Sequence, residues 1–179
     1  MSNYNFESIR DQWSSNAESL ADFVMKKLVN RTDAYGGHRD PRDRIAGAAI
    51  KQNNPLSSDV IQRHFKTGDR RDLIRLHTVS PQKTSRWIVL EIDQPHGVSH
   101  DCRQMNEEGA KEYFKHWPET VSKPLLIDSD GRGRFQLWVI LNSPISVANA
   151  CAFGHHIAEY SGALGLGGKP EVFPEHPSS

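Results

Sequence analysis

The stretch SRWIVLEIDQPHG, Ser85 to Gly97, decides the fold, because it has the pattern of a buried strand that ends in two acids. Successive side chains of a strand point to opposite faces, so Glu91 and Asp93 share one face. Two carboxylates a few ångströms apart repel each other by roughly 4 kcal/mol at an effective dielectric of about 20. The pair therefore indicates a bound cation, a proton or an exposed position.

From Lys83 onward, strand and helix patterns succeed each other in the order β-α-β-β-α-β. This order is typical of the split βαβ arrangement, the RRM-like or ferredoxin-like core of the α+β class. The usual strand order of such a sheet is fourth, first, third, second. The predicted elements are strand 86–92, helix 106–117, strand 125–128, strand 135–141, helix 147–164 and strand 171–173.

This topology makes specific predictions about the sheet. The fourth strand should run antiparallel to the first, so Glu171 is expected near Glu91 and Asp93. We expect the third strand to run parallel to the first, which would put Gln136 at the end opposite Asp93. Three carboxylates at one point would favour one or two Mg²⁺ or Mn²⁺ ions, because these cations prefer oxygen ligands and bridge carboxylates to phosphates. The alternative is a strand end with ordinary exposed acids.

The first half of the chain has a weaker pattern. Residues 1–82 are predicted to form an accessory lobe beside the core of residues 83–179. Apolar spacing from Ile9 to Leu28 fits one long or two short helices. The segment Asn30–Arg44 is rich in Gly, Arg and His and favours a basic loop over a regular element. A short helix is predicted within 57–65 and a strand within 72–79.

Composition excludes few functions. Lys plus Arg and Asp plus Glu number 22 each, so no global field attracts the chain to nucleic acid, and any such attraction must come from local patches. Cys102 and Cys151 show no pairing pattern, and the chain has no run of about 18 apolar residues. We therefore expect a reduced, cytoplasmic protein without membrane partners. The trio of His96, His100 and Cys102 has no common zinc-finger spacing and no evident fourth ligand, which disfavours zinc.

A second constellation is DSDGRGRFQLWVIL, residues 128–141. Backbone N–H groups of its glycine-rich loop could cradle a phosphate that two arginines neutralise. The alternative is a hairpin turn with two arginines facing solvent. The stretch matches neither a P-loop nor a dinucleotide-binding fingerprint. The candidate phosphate-binding residues are Ser129, Gly131, Arg132, Gly133 and Arg134.

Four stretches together resemble a known family. In order and approximate spacing they are similar to the primase domain of the archaeo-eukaryotic primase superfamily, in the branch found in TOTE conflict systems. The resemblance covers roughly Val29 to the C-terminus. It implies a nucleotidyltransferase that uses nucleoside triphosphates, a DNA or RNA template and Mg²⁺ or Mn²⁺, with a helicase as a further partner. The stretches are VNRTDAYGG, LIRLHTVSPQKTSRWIVLEID, DSDGRGRFQLWVILNSPI and KPEVFPEH.

The resemblance also implies roles for individual residues. Glu91 and Asp93 correspond to the first acidic motif, where relatives more often have two aspartates. Glu171 corresponds to the last acidic motif, so these three acids are the implied catalytic and metal-binding residues. Ser129 and the loop 131–133 correspond to the middle motif.

Two features depart from the family pattern. The middle motif, which reads like GRGxHLW in the family, is GRGRFQLW here, so Gln136 replaces a phosphate-facing histidine. A glutamine can donate a hydrogen bond but cannot carry positive charge, which puts catalysis in question. The chain also ends eight residues after Glu171. The family pattern continues further, which implies a truncated or degenerate copy or a missing part on a separate chain.

Two functional hypotheses follow. The first is a primase or polymerase in which acid-bound metal activates a 3′-hydroxyl, while Ser129–Arg134 and Gln136 hold the triphosphate. The second is a primase-derived module that binds nucleotide or single-stranded nucleic acid without turnover. It would use the basic segment Arg31–Arg44 and exposed aromatic residues such as Tyr35. A third alternative is a structural remnant without a ligand.

Overall fold

The chain forms two compact units, residues 1–81 and 82–179. The computed structural model describes residues 6–38, 49–52, 55–67, 69–93, 103–117, 124–128, 133–160, 162–163, 165–166 and 168–175. Each unit combines helices with an antiparallel sheet, which confirms the predicted α+β class. None of the helices in these ranges is long and apolar enough to cross a membrane.

The described residues of the first unit form α1 (Phe6–Ser15), α2 (Ala17–Lys27), β1 (Tyr35–His38), β2 (Ala49–Gln52), α3 (Ser58–Thr67), a 3-10 turn (Arg70–Asp72) and β3 (Ile74–Arg75). The strands form a small sheet in the order β2-β1-β3. The apolar spacing near the N-terminus gives two short helices rather than one long helix. The buried side chains of Ala21 and Val24 in α2 pack with Leu56 and Ile61 in one core.

The sequence predicted a loop over the segment Asn30–Arg44, but strand β1 lies within this segment. Gly36 allows the close pairing of β1 with β3, since a Cβ atom at this position would lie 2.8 Å from the Cβ atom of Arg75. Tyr35 is half-buried against the core of the first unit. The hypothesis that Tyr35 is an exposed aromatic residue is therefore wrong.

The described residues of the second unit form β4 (Thr84–Ile92), α4 (Arg103–Lys115), β5 (Leu125–Asp128), β6 (Phe135–Ser146), α5 (Val147–Ala158) and β7 (Glu171–Phe173). The strands form a sheet in the order β5-β6-β4-β7, in which all neighbours are antiparallel. Strands β4, β5 and β7 begin and end within two residues of the predicted limits, whereas β6 continues past its predicted end at residue 141 to Ser146. Helix α4 begins three residues earlier than predicted, and α5 ends at Ala158 rather than at residue 164.

The expectation that the third strand of this unit runs parallel to the first is wrong. Strand β6 is antiparallel to β4, and Gln136 pairs with Glu91. The physical reason is that β5 runs in the same direction as β4, and β6 is the antiparallel neighbour of β5, with Asp128 opposite Phe135. The start of β6 therefore lies beside the end of β4 rather than at its opposite end.

Helix α5 covers one face of this sheet. The Ser146 side chain accepts a hydrogen bond of 3.2 Å from the Asn149 backbone N–H, so the helix begins with an N-cap. At Gly154 the helix approaches the sheet so closely that a Cβ atom would lie 2.4 Å from Val172 Cγ1. The other face of the sheet carries Glu91 and its neighbours.

Candidate functional site

Three segments that are far apart in sequence meet on one row of the second sheet. Glu91 on the central strand β4 pairs with Gln136 of β6 on one side and with Glu171 of β7 on the other. Residues directly opposite each other in antiparallel strands direct their side chains to the same face. The row of Gln136, Glu91 and Glu171, here called the polar row, therefore lies on one sheet face. Glu171 therefore lies beside Glu91, as the sequence predicted.

Arg134 joins the two acids at the end of β4. Its Nη2 donates a hydrogen bond to Asp93 Oδ2, and its Nε lies 3.7 Å from Glu91 Oε1. About half of the Arg134 and Asp93 side-chain surface is exposed, whereas the Glu91 side chain is only 21% exposed. The guanidinium thus supplies the positive charge that two neighbouring carboxylates require.

The side chains do not form the metal centre that the sequence predicted. Within the described ranges, no three His, Cys, Asp or Glu side chains are grouped closely enough to hold a metal ion. The carboxylate oxygens of Glu91, Asp93 and Glu171 are the donor type that Mg²⁺ and Mn²⁺ prefer. However, Arg134 already contacts two of these carboxylates. As arranged, these residues do not fit a bound divalent metal.

Gln136 is held by an aromatic neighbour. Trp138, two residues further along β6 and on the same face, donates its indole N–H to Gln136 Oε1 at 3.1 Å. The Trp138 ring packs on Trp87, with ring centroids 4.9 Å apart. Because its oxygen accepts this bond, the amide of Gln136 is oriented with its nitrogen as the atom that can donate to a ligand.

Gly133 has a packing role that the sequence did not reveal. Its φ angle is 104°, and a Cβ atom would lie 2.6 Å from the Arg103 Cα atom at the start of α4. The buried Asn106 side chain donates a 2.9 Å hydrogen bond to the Gly133 carbonyl oxygen. The backbone immediately before Arg134 is therefore fixed to α4, and only glycine fits there.

The same sheet face continues beyond the polar row as an apolar surface. On the edge strand β5, Leu125 lies opposite Trp138 and Ile127 lies opposite Gln136. Their side chains are 47% and 41% exposed. On the other side of β4, Phe173 pairs with Val89 and is half-buried. Apolar side chains beside polar groups suit a ligand that has both apolar and charged parts.

Several predicted residues lie outside the described ranges. They include residues 39–44 of the basic segment Arg31–Arg44, whereas the described Arg31 pairs with Asp33 at 2.5 Å. Of the predicted phosphate-binding loop, only Gly133 and Arg134 are described. The predicted loop and zinc candidates outside the description are Ser129, Gly131, Arg132, His96, His100 and Cys102.

Sequence reasoning missed two residues of the site. Trp138 could have been found, because it shares the i, i+2 alternation of β6 with Arg134 and Gln136. Asn106 gave no comparable signal, because nothing in a helical pattern shows that one polar side chain is buried against a distant loop. No protein-family model matches the chain, and no curated protein sequence matches it either.

Proposed function

We propose that the chain is a nucleotidyltransferase-type domain of the primase-polymerase class, which acts on nucleoside triphosphates along a template strand. The observation that carries this proposal is the convergence of three motif segments, at Glu91, Gln136 and Glu171, on one row of one sheet face. Each segment belongs to a different stretch of the primase resemblance. Because these stretches contribute neighbouring residues to one site, their convergence supports the interpretation that the resemblance reflects this site.

The strand order supports the same proposal. Counted within the second unit, β4, β5, β6 and β7 are the first to fourth strands, so the order β5-β6-β4-β7 is second, third, first, fourth. From the opposite edge this is fourth, first, third, second, the order of RRM-like and ferredoxin-like sheets. Such sheets bind single strands by stacking bases on exposed aromatic side chains. Here the exposed apolar side chains beside the polar row, Leu125 and Ile127, are aliphatic, so they offer van der Waals contact to a base rather than ring stacking.

The phosphate chemistry rests on two side chains of this site. Gln136 can donate a neutral hydrogen bond to a phosphate oxygen, and Arg134 can form a charge-assisted bond, which is roughly twice as strong. Nucleotidyl transfer in this class uses divalent metal to stabilise charge on the phosphates. Because Arg134 contacts Glu91 and Asp93, we propose no metal-dependent step of the transfer reaction for these two carboxylates.

A second candidate function is binding without turnover, in a module derived from a primase. The specific observation in its favour is the contact of Arg134 with both Glu91 and Asp93, together with the neutral Gln136 beside them. Such a site would retain affinity for the anionic triphosphate or for the backbone of a single strand. It would lack the arrangement for metal-assisted attack.

A primer-extension assay distinguishes these candidates. Labelled primer on a DNA or RNA template is incubated with nucleoside triphosphates and Mn²⁺, and nucleotide binding is measured in parallel by fluorescence anisotropy. The matched control for Gln136→Ala is Gln104→Ala, which removes an exposed glutamine from α4. Extension that is lost in Gln136→Ala and retained in Gln104→Ala supports nucleotidyl transfer.

The other outcomes of this assay are equally informative. Saturable nucleotide or strand binding without extension favours the second candidate. Wild-type protein that neither extends a primer nor binds nucleotide or single strands contradicts both proposals. The polar row would then be an ordinary feature of an exposed strand end.

A further inference from the structure

Arg134 has a fixed attachment point beside the acids. The preceding residue, Gly133, is locked against α4 by its close approach to Arg103 and by the hydrogen bond from Asn106. Glu91 lies within the central strand β4, and Asp93 directly follows the end of this strand. The cation and the two carboxylates therefore face each other from two neighbouring strand ends.

The guanidinium contacts both acids from this position. Its Nη2 is hydrogen-bonded to Asp93, and its Nε is 3.7 Å from Glu91. A guanidinium presents several N–H donors in a planar fork, so it can serve two carboxylates at once. A divalent metal would require the same oxygen lone pairs.

We infer that Arg134 is the built-in counter-cation of Glu91 and Asp93 and that it competes with divalent metal for these two carboxylates. This inference deepens the proposed function, on which its relevance to nucleotidyl transfer rests. It explains why the resemblance implies a metal site while the described side chains do not form one. Divalent metal binds these acids only when Arg134 leaves them.

Competition and a purely structural ion pair predict different changes in divalent-metal affinity when Arg134 is removed. If Arg134 only stabilised the strand ends, its removal would weaken the site and leave metal affinity unchanged or lower. If Arg134 competes, its removal takes away a donor that occupies carboxylate oxygens of Glu91 and Asp93 and also a positive charge that repels the metal. Affinity for divalent metal should then rise.

The test measures binding of Mn²⁺ alone, by calorimetry and by electron paramagnetic resonance of free Mn²⁺, to the full chain. We expect Arg134→Gln to bind Mn²⁺ at least about tenfold more tightly than wild type. The matched control is Arg63→Gln, which removes an exposed arginine from α3 and should leave Mn²⁺ affinity unchanged. Arg134→Gln combined with Asp93→Asn should lose the gain.

Arg134→Lys keeps the result interpretable if Arg134→Gln folds poorly. A lysine retains the charge but lacks the planar fork, so its Mn²⁺ affinity should lie between those of wild type and Arg134→Gln. Circular dichroism verifies that each variant is folded. Equal or weaker Mn²⁺ binding in the folded Arg134 variants than in wild type would overturn the inference.

The inference and the proposed function can fail separately. Tighter Mn²⁺ binding in Arg134→Gln, with neither primer extension nor nucleotide binding by wild type, would support the counter-cation role and reject the function. Primer extension by wild type with unchanged Mn²⁺ binding in Arg134→Gln would reject the counter-cation role and leave the function standing.

Discussion

Replacing Gly154 by alanine tests the packing that supports the polar row. Helix α5 lies so close to β4 and β7 at this glycine that an added Cβ atom would be 2.4 Å from Val172 Cγ1 and 3.0 Å from Ile88 Cγ2. Both neighbours are buried in the core of the second unit. To restore an ordinary contact of 3.4 Å to Val172, the helix or the strand must move by about 1 Å.

The magnitude follows from two opposing effects. Overpacking a well-packed core costs about 1–3 kcal/mol, and a contact as close as 2.4 Å belongs near the upper end of this range. Alanine in place of glycine in a helix interior recovers about 1 kcal/mol. We therefore expect Gly154→Ala to lower the free energy of unfolding of the second unit by about 2 kcal/mol.

Urea unfolding, followed by circular dichroism, measures this loss. The control is Gly162→Ala, because a Cβ atom at Gly162 has no heavy-atom neighbour within 4 Å. Truncation of the clashing side chain in Gly154→Ala/Val172→Ala should destabilise by less than the sum of the single changes, with a coupling of about 1 kcal/mol or more. If Gly154→Ala is as stable as wild type, α5 does not approach β7 this closely and the packing argument is wrong.

Two further predictions concern titratable side chains. Burial lowers the pKa of His64 in the first unit below its usual 6.5. Below about pH 6.5 the unfolded state therefore binds more protons than the folded state. The contribution of neutral His64 to the free energy of unfolding should be fully present above about pH 6.5 and should be lost as the pH falls through the lowered pKa. His64→Gln should flatten this fall in urea midpoints, and an equal fall in the variant would contradict the assignment. Burial raises the pKa of Tyr113 to about 12. In an ultraviolet titration of wild type, one tyrosine should therefore ionise only near that pH, and this step should be missing in Tyr113→Phe. The Tyr113 hydroxyl donates to the carbonyl oxygens of Ile157 and Ala158 at 3.2 and 3.4 Å, so Tyr113→Phe should cost about 1 kcal/mol, and an unchanged stability would argue against these bonds.

The sequence predicted the α+β class and most strand limits of the second unit, because the apolar runs Trp87–Ile92 and Phe135–Leu141 are each interrupted by a single polar residue, as is typical of buried strands. Helix limits were less accurate, since a helical apolar pattern continues past Ala158 although the helix ends there. The direction of β6 was predicted wrongly from topology. Because β5 runs in the same direction as β4 and β6 is antiparallel to β5, β6 is antiparallel to β4, which brings its start with Gln136 beside Glu91.

The candidate site was predicted by residue but not by arrangement. Glu91, Gln136 and Glu171 were singled out and do share one row. The contact of Arg134 with Glu91 and Asp93 was not predicted, because sequence spacing does not show which of several anions a long side chain contacts. Asn106 and the positive φ of Gly133 depend on contacts between α4 and a loop 27 residues away, which no local pattern contains.

The most direct test of the central claim is to locate nucleotide binding by NMR. Amide resonances of the ¹⁵N-labelled chain are followed while ATP and Mg²⁺ are added. We predict that the largest shifts occur at Glu91, Gln136 and Glu171, on the polar row. Changes confined to Arg10 and Lys66, which line a cavity of about 420 Å³ in the first unit, or the absence of any shift on the polar row at saturating ATP, would contradict the claim.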